Sequence, residues 1–268
     1  CWLFPSLGLT VSALGALGAI MVWLVSVVIG SLQANIYAEL ATMMPDKSGG
    51  IGIYAHEGFK PYLPLIGPVV TWGYGFAWSS AIAINGLLVG DYLQAELWPH
   101  ADATLLPKVI GTVMLVGIGL FNLYGLRTGV VLSYLLGLLV MIPLLIVMIV
   151  PFLNGSFHAA NLLPLALPHH IGWFTWAGIS LLCYWLYIAG WGAYAFECVA
   201  TFAPEFTETS TDTPRAIRSA TAFGILVYGL VPVGLIGVLG RKGVQANVYT
   251  AFDPALKAIL GTGLGTAI

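Results

Sequence analysis

The stretch from Trp173 to Ser219 reads WFTWAGISLLCYWLYIAGWGAYAFECVATFAPEFTETSTDTPRAIRS. Its first part is an apolar, aromatic-rich run of about 20 residues, the length a helix needs to cross a bilayer. Inside that run, Gly190-Trp191-Gly192 sets two glycines around an indole, and six residues past Trp191 a carboxylate, Glu197, still lies in apolar sequence. Glycine weakens a helix by about 1 kcal/mol and lets the backbone leave helical geometry. Backbone that leaves the ladder at membrane depth is tolerated only where it faces protein or a wet cavity. The pattern therefore predicts an interruption within residues 187–193, Trp191 turned toward a cavity, and a substrate site at the break. Close packing against a neighbouring helix is the alternative reading of the two glycines.

The composition puts that stretch in a membrane. Of 268 residues, 59% are hydrophobic and 7% charged, where a soluble domain carries roughly 25% charged residues. Mean hydropathy is +0.94. The chain reads as an all-α polytopic membrane protein, and its net charge of −2, with no basic or acidic tail, gives no footprint for nucleic acid. Cys183 and Cys198 are fifteen residues apart on one helix-like run, about 22 Å along its axis, too far to bridge, so free thiols are expected. His169 and His170 are adjacent on a loop without a third ligand, so no metal is assigned, and no cofactor motif is present. The chain starts at Cys1 and ends in GTGLGTAI, and the expectation is a piece of a longer protein.

Taken in order, residues 1–10 read as the tail of a helix, and residues 12–41 as the first complete span, with Gly15, Gly18 and Gly30 as packing residues. Residues 42–64 read as a polar loop, and its SGGIG cluster predicts that Gly49 and Gly50 take backbone conformations costly for other residues. Spans follow at residues 65–93, 107–124 and 130–152, with Pro143 expected to kink the last. After the opening stretch, Thr213-Pro214 predicts a helix start and a span to about Gly240, and Asp253-Pro254 starts a last helix. The count is six full spans and two partial ones; five cationic side chains against four leave orientation open.

Two stretches carry a resemblance. Tyr37-Ala38-Glu39-Leu40, then Pro45, Ser48-Gly49-Gly50, Tyr54 and Gly58, resemble the signature after the second helix of amino acid permeases of the amino acid–polyamine–organocation superfamily. Gly192 to Ala216, with Phe196-Glu197, Glu205 and Pro214-Arg215-Ala216, is similar to that family's sixth helix and following loop, and Asn122-Leu123-Tyr124-Gly125 to its fourth-to-fifth link. The resemblance implies that residues 1–268 form one partial transmembrane transporter domain, from the end of helix one to the start of helix eight. It implies a fragment of an inverted-repeat fold of five plus five helices with a broken sixth helix. Cys1 and Trp2 would then follow the unwound part of helix one beside the substrate. Carbonyls around Tyr187 to Gly190 would face a substrate ammonium, with Trp191, Gly192 and Ala193 completing that wall. In some members a tryptophan stands at the position Trp191 matches. Many members also carry a lysine before the helix-five proline; Leu139 to Ile142 provide none, which argues against coupling through that lysine.

Ser79, Ile82 and Asn85 share one helix face by their spacing and either line the cavity or pack polar groups between helices. Glu197 at membrane depth is assigned to proton coupling; a structural carboxylate bonded to backbone is the alternative. The expected function is a multi-pass secondary transporter in the cell membrane that moves an amino acid or organic amine by alternating access, in proton-coupled or exchange mode. Its partners are the small-molecule substrate, the lipid bilayer and a proton. A channel and a non-transporting amino-acid sensor on the same fold are the rivals. Enzyme motifs such as HExxH, a P-loop or GxSxG are absent from the sequence.

Overall fold

Gly15 shows how this sequence turns a run of apolar residues into two helices. Helix α1 (Leu3–Met43) carries Gly15 at φ 73°, ψ −176°, so residues 3–14 and 16–43 are separate helical segments joined at a conformation that costs glycine little. The sequence reading had placed this boundary near Ser12 and taken Gly15 for a packing residue; the turn is the glycine itself. The structure, a computed structural model, describes residues 3–98, 100–123, 126–163, 171–246 and 248–267. Most of these residues are helical, without a strand among them. Cys1, Trp2, Tyr124, Gly125, His169 and His170 lie outside the described residues.

The chain divides into two compact units, Cys1–Val70 with Pro143–Ile268, and Thr71–Ile142. In the first unit, the expected loop at residues 42–64 contains a short helix, α2 (Ile51–Phe59), with Gly52 and Tyr54 buried. Ile51, Ile53 and Tyr54 supply the apolar face that glycine content alone had hidden. Gly49 and Gly50 take positive φ, 121° and 52°, as the SGGIG cluster predicts. The loop docks on a later segment: the Ser48 hydroxyl donates to the Thr201 carbonyl at 3.2 Å, and a Cβ on Gly50 would crowd the Thr201 side chain.

Helix α3 (Ile66–Leu97) runs from the first unit into the second, where α4 (Leu106–Leu123) follows. Gly86, Gly90 and Gly111 bring α3 and α4 to backbone contact: a Cβ at Gly90 would meet the Pro107 carbonyl, and one at Gly111 the Gly86 carbonyl. Asp102 caps the start of α4, its carboxylate accepting from the backbone N–H of Thr104 at 2.7 Å and of Leu105 at 2.9 Å. Those two N–H groups hold the Asp102 carboxyl below its ordinary pKa. A depressed carboxylate pKa stabilises the fold above the unfolded value of about 3.9 and stops doing so as pH falls through the folded value. The melting temperature of Asp102→Ala is thus expected below that of the wild type at pH 7, with the gap closing under acid. A gap that persists at low pH would assign the loss to packing instead.

Helix α5 (Leu126–Asn154) contains Pro143 and Pro151 and returns to the first unit. There α7 (Thr209–Ala246) approaches it so closely that a Cβ at Gly234 would strike the Val147 carbonyl. Helix α7 begins at Thr209, four residues before the expected cap at Thr213. Its start is held by Asp212, which accepts from the Glu208 N–H at 3.2 Å, while Thr213 is fully buried inside the helix. Gly240, at φ 66°, ends the long part of α7 where the sequence reading ends it. A 3₁₀ turn (Ala159–Leu162) seals that end, with the Asn161 amide donating to the Gly237 carbonyl at 2.7 Å. Helix α8 (Phe252–Leu260) starts one residue ahead of Asp253 and carries an Asp253–Lys257 ion pair at 2.7 Å; Gly261, at φ 85°, separates it from α9 (Thr262–Ala267).

Among the described residues four helical stretches are long and apolar enough to cross a membrane: Ser6–Met43, Gly129–Asn154, Trp176–Glu205 and Thr209–Ala246. The six complete spans expected from the sequence are therefore not all matched. The apolar part of α4, Leu106–Phe121, is short, and α3 is interrupted by Ser79, Ser80 and Asn85 among bulky aromatics. Large side chains such as Val113, Leu138, Leu139 and Leu226 are more than half exposed, a surface that suits lipid and not water.

Candidate functional site

The span that opens the sequence reading folds in two geometries. Thr175 caps α6 (Trp176–Ala193), its side chain accepting from the Gly178 N–H at 3.2 Å. After Tyr194 (φ −104°, ψ 1°) the chain continues as a 3₁₀ helix, Ala195–Glu205. The expected interruption within residues 187–193 is thus corrected: α6 runs unbroken through Ala193, and the Tyr194 N–H donates to the Gly190 carbonyl at 2.9 Å. The carbonyls from Tyr187 to Gly190 lie within the hydrogen-bonded helix and not at a break. The reason is steric and local. Both glycines tolerate helical φ, and Gly190 leaves the room into which the Tyr194 ring folds, since a Cβ there would meet that ring. The change of winding is displaced to the first residue past the glycine pair that carries a large side chain.

Three helices converge on this joint. The Ser26 hydroxyl of α1 donates to the Leu186 carbonyl at 3.3 Å. One turn on, Gly30 leaves space for the Ala193 carbonyl and the Tyr194 ring. From α7, the Tyr228 hydroxyl donates to the Gly192 carbonyl at 2.7 Å, and Gly224 accommodates the Phe196 ring. Trp191 is 42% exposed and Tyr187 65%, so both side chains stand clear of the packed interior that holds Ala189, Gly190 and Ala193.

Glu197 is buried, with 9% of its surface exposed, on the first turn of the 3₁₀ helix. Tyr37 of α1 is near enough to interact with it electrostatically, and the Cys198 sulfur lies 4.0 Å from its Oε1. Below it a cluster of Ala34, Ala38, Ala41, Tyr54, Ala200, Ala203 and Ile217 joins α1, α2, the 3₁₀ helix and α7. Cys183 and Cys198 are free thiols, as expected from their separation.

Ser79, Ile82 and Asn85 belong to the second unit. Ser79 bonds the Gly75 carbonyl at 2.8 Å and Asn85 the Ala81 carbonyl at 2.8 Å, each one turn back on its own helix, and Ile82 is exposed. Sequence reasoning passed over Trp23, Ser26 and Tyr228. A signal existed: an indole and a phenol in the middle of long apolar runs each bring a polar atom that has to be satisfied there.

Long apolar helices, a lipid-suited surface and an irregular span at the meeting of three helices define a multi-pass helical membrane protein. The chain belongs to the amino acid permease family, whose pattern matches residues 4–268. This places it among membrane transport proteins of the cell membrane and not among enzymes. It is 25% identical over 276 aligned residues to the arginine/agmatine antiporter of Chlamydia trachomatis serovar L2, covering 97% of this chain and 52% of that protein. To the arginine/agmatine antiporter of Chlamydia pneumoniae it is 30% identical over 142 residues, 50% of this chain and 28% of that protein. The one from Chlamydia felis is 29% identical over 143 residues, 51% of this chain and 28% of that protein. The chain thus spans about half the length of the relative it matches from end to end.

Proposed function

We propose that this chain is part of a secondary transporter that moves amino acids or related organic amines by alternating access. In this reading residues 1–268 are one partial transporter domain of an inverted-repeat fold, with the irregular span as its sixth helix. The observation that carries the reading is the joint at Tyr194, where α-helix gives way to 3₁₀ inside an apolar span, flanked by a half-exposed indole and a buried carboxylate. Carbonyl groups at the C-terminal end of α6 attract a cation, so the substrate ammonium belongs beside Gly190, Trp191, Gly192 and Ala193, and Trp191 is its wall or lid. Tyr187 is the further lining position that α6 adds to the proposal; Ser79, Ile82 and Asn85 belong to the other unit, and Cys1 and Trp2 lie outside the described residues. The family membership supports an amino acid or amine as substrate, and the relatives' names make arginine and agmatine the first compounds to try. Exchange of one amine for another, or coupling to a proton through Glu197, is the proposed driving mode.

Counterflow in proteoliposomes tests this. The full-length protein is reconstituted and loaded in turn with each standard amino acid and with agmatine, and uptake of the labelled compound is followed. Acceleration by internal substrate is the expected result; flux indifferent to internal substrate marks a channel, and binding without flux a sensor. In the same assay Trp191→Ala is expected to weaken apparent affinity about tenfold, the scale of an indole–cation contact partly removed from water, with expression unchanged. An affinity equal to that of the wild type would remove Trp191 from the site.

A further inference from the structure

Tyr228 and Trp23 are large, amphipathic and buried at 8% and 0% exposure, in spans where leucine would pack as well. Their rings stack nearly parallel, centroids 5.4 Å apart at 8°. Each directs its polar atom to a different element. The Tyr228 hydroxyl donates to the Gly192 carbonyl at 2.7 Å. The Trp23 indole N–H donates to Thr10 Oγ1 at 3.1 Å, across the Gly15 turn, and the Thr10 hydroxyl in turn donates to the Ser6 carbonyl at 2.5 Å. Ser6 and Thr10 are as buried as the rings, at 2% and 1%.

The two ends of this relay differ in kind. Thr10 bonds a carbonyl one turn back on its own helix, a local arrangement that needs nothing from α7. Gly192 lies in the last turn of α6, where carbonyls have run out of intrahelical donors. Such a group needs a donor from elsewhere in the fold. The Tyr228 hydroxyl, brought from 36 residues away, supplies the donor. The indole of Trp23 stacks on the phenol that makes this bond.

We infer that Tyr228 is a positioning residue for the amine site. Its hydroxyl fixes the Gly192 carbonyl at the α6–3₁₀ joint, and its ring transmits that constraint through Trp23 and Thr10 to residues 3–14. The inference rests on the transport reading above. It assigns to α7 a part in binding that acts through the backbone of α6. It also ties the helical segment before Gly15 to the joint. Losing the hydroxyl frees the carbonyl to turn, and the ammonium then meets a less defined set of acceptors.

The experiment compares Tyr228→Phe, Tyr228→Leu and Thr10→Val in the full-length protein. Counterflow is measured with whichever panel compound gives the strongest trans-stimulation in the wild type, and folded yield is followed by size-exclusion chromatography. Phenylalanine keeps the stack and loses only the hydroxyl. The expected result is a KM raised about three- to tenfold, the range of one buried hydrogen bond, with maximal rate within about twofold and normal folded yield. Thr10→Val, which leaves Tyr228 untouched, is expected to raise KM in the same direction and by less. A purely structural role predicts that Phe matches the wild type while Leu loses folded protein; that pattern overturns the inference. An unchanged KM in folded Thr10→Val overturns the transmission to residues 3–14. If the wild type itself shows no counterflow with any compound, the transport reading and this role fall together.

Discussion

Gly30→Leu is expected to remove most folded protein from the membrane, the largest single effect in the molecule. At this position α1 crosses the end of α6, and a Cβ would overlap the Ala193 carbonyl and press on the Tyr194 ring. The obstacle is backbone, which cannot swing aside as a flexible side chain does. The helices cannot part there cheaply either, because Ser26 bonds the Leu186 carbonyl one turn earlier and Tyr228 holds Gly192 from the other side. Overpacking a well-fitted interior costs about 1–3 kcal/mol even when neighbours can adjust, and here they cannot. Gly30→Ala should show a partial loss, graded with size. Fluorescence-detected size-exclusion of the tagged protein reads both; wild-type yield for the leucine variant would show that α1 and α6 do not meet at this residue.

Glu197→Gln should leave substrate binding within about twofold and flatten the pH dependence of transport. The carboxylate is 9% exposed on a turn whose neighbours are apolar, so gaining or losing a proton changes the charge of an otherwise neutral region. Titratable groups that face it include Tyr37 from α1 and Cys198 from its own helix. Glutamine has the same shape and a single charge state. If occupancy by a proton biases which side of the protein is open, the variant has lost the means of sensing pH while its binding wall, six residues earlier at Trp191, is intact. A structural carboxylate predicts something else, poor folding of the same variant. Folded Glu197→Gln with an unchanged pH profile would leave Glu197 without a coupling role.

Much of this architecture could be read from local chemistry. Gly49 and Gly50 announce a left-handed turn because nothing else pairs two adjacent glycines with a polar exit and a new apolar run. Gly240 ends a span as a single glycine of positive φ before Arg241-Lys242. Where the reading failed, the decisive interaction was distant or competed with a local signal. Thr213-Pro214 looks like a cap, yet Asp212 reaches back to Glu208 and starts α7 a turn early. Gly190 and Gly192 look like a break, yet both stay in the helix, Gly190 as clearance for the Tyr194 ring, and the winding changes after them. Gly15 looked like a packing residue because a lone glycine in an apolar run carries no local sign of positive φ. The identity of the partners at the joint, Ser26, Gly30 and Tyr228, is not legible at all from the span that contains it, since they come from helices far along the chain.

The 3₁₀ segment from Ala195 to Glu205 has a mechanical side. It holds eleven residues, whereas runs of this winding rarely exceed three or four. At a rise of about 2.0 Å per residue it measures about 22 Å; wound as α-helix the same residues would measure about 16 to 17 Å. Rewinding it as α-helix would shorten it by about 5 Å, close to one α-helical pitch. The Tyr194 joint holds its start and the Ser48–Thr201 latch grips it seven residues in, so about 3.5 Å of that change lies between the two. A local change of winding, with no hinge and no broken helix, would pull the loop before α2 toward the joint and carry Glu197 along the way.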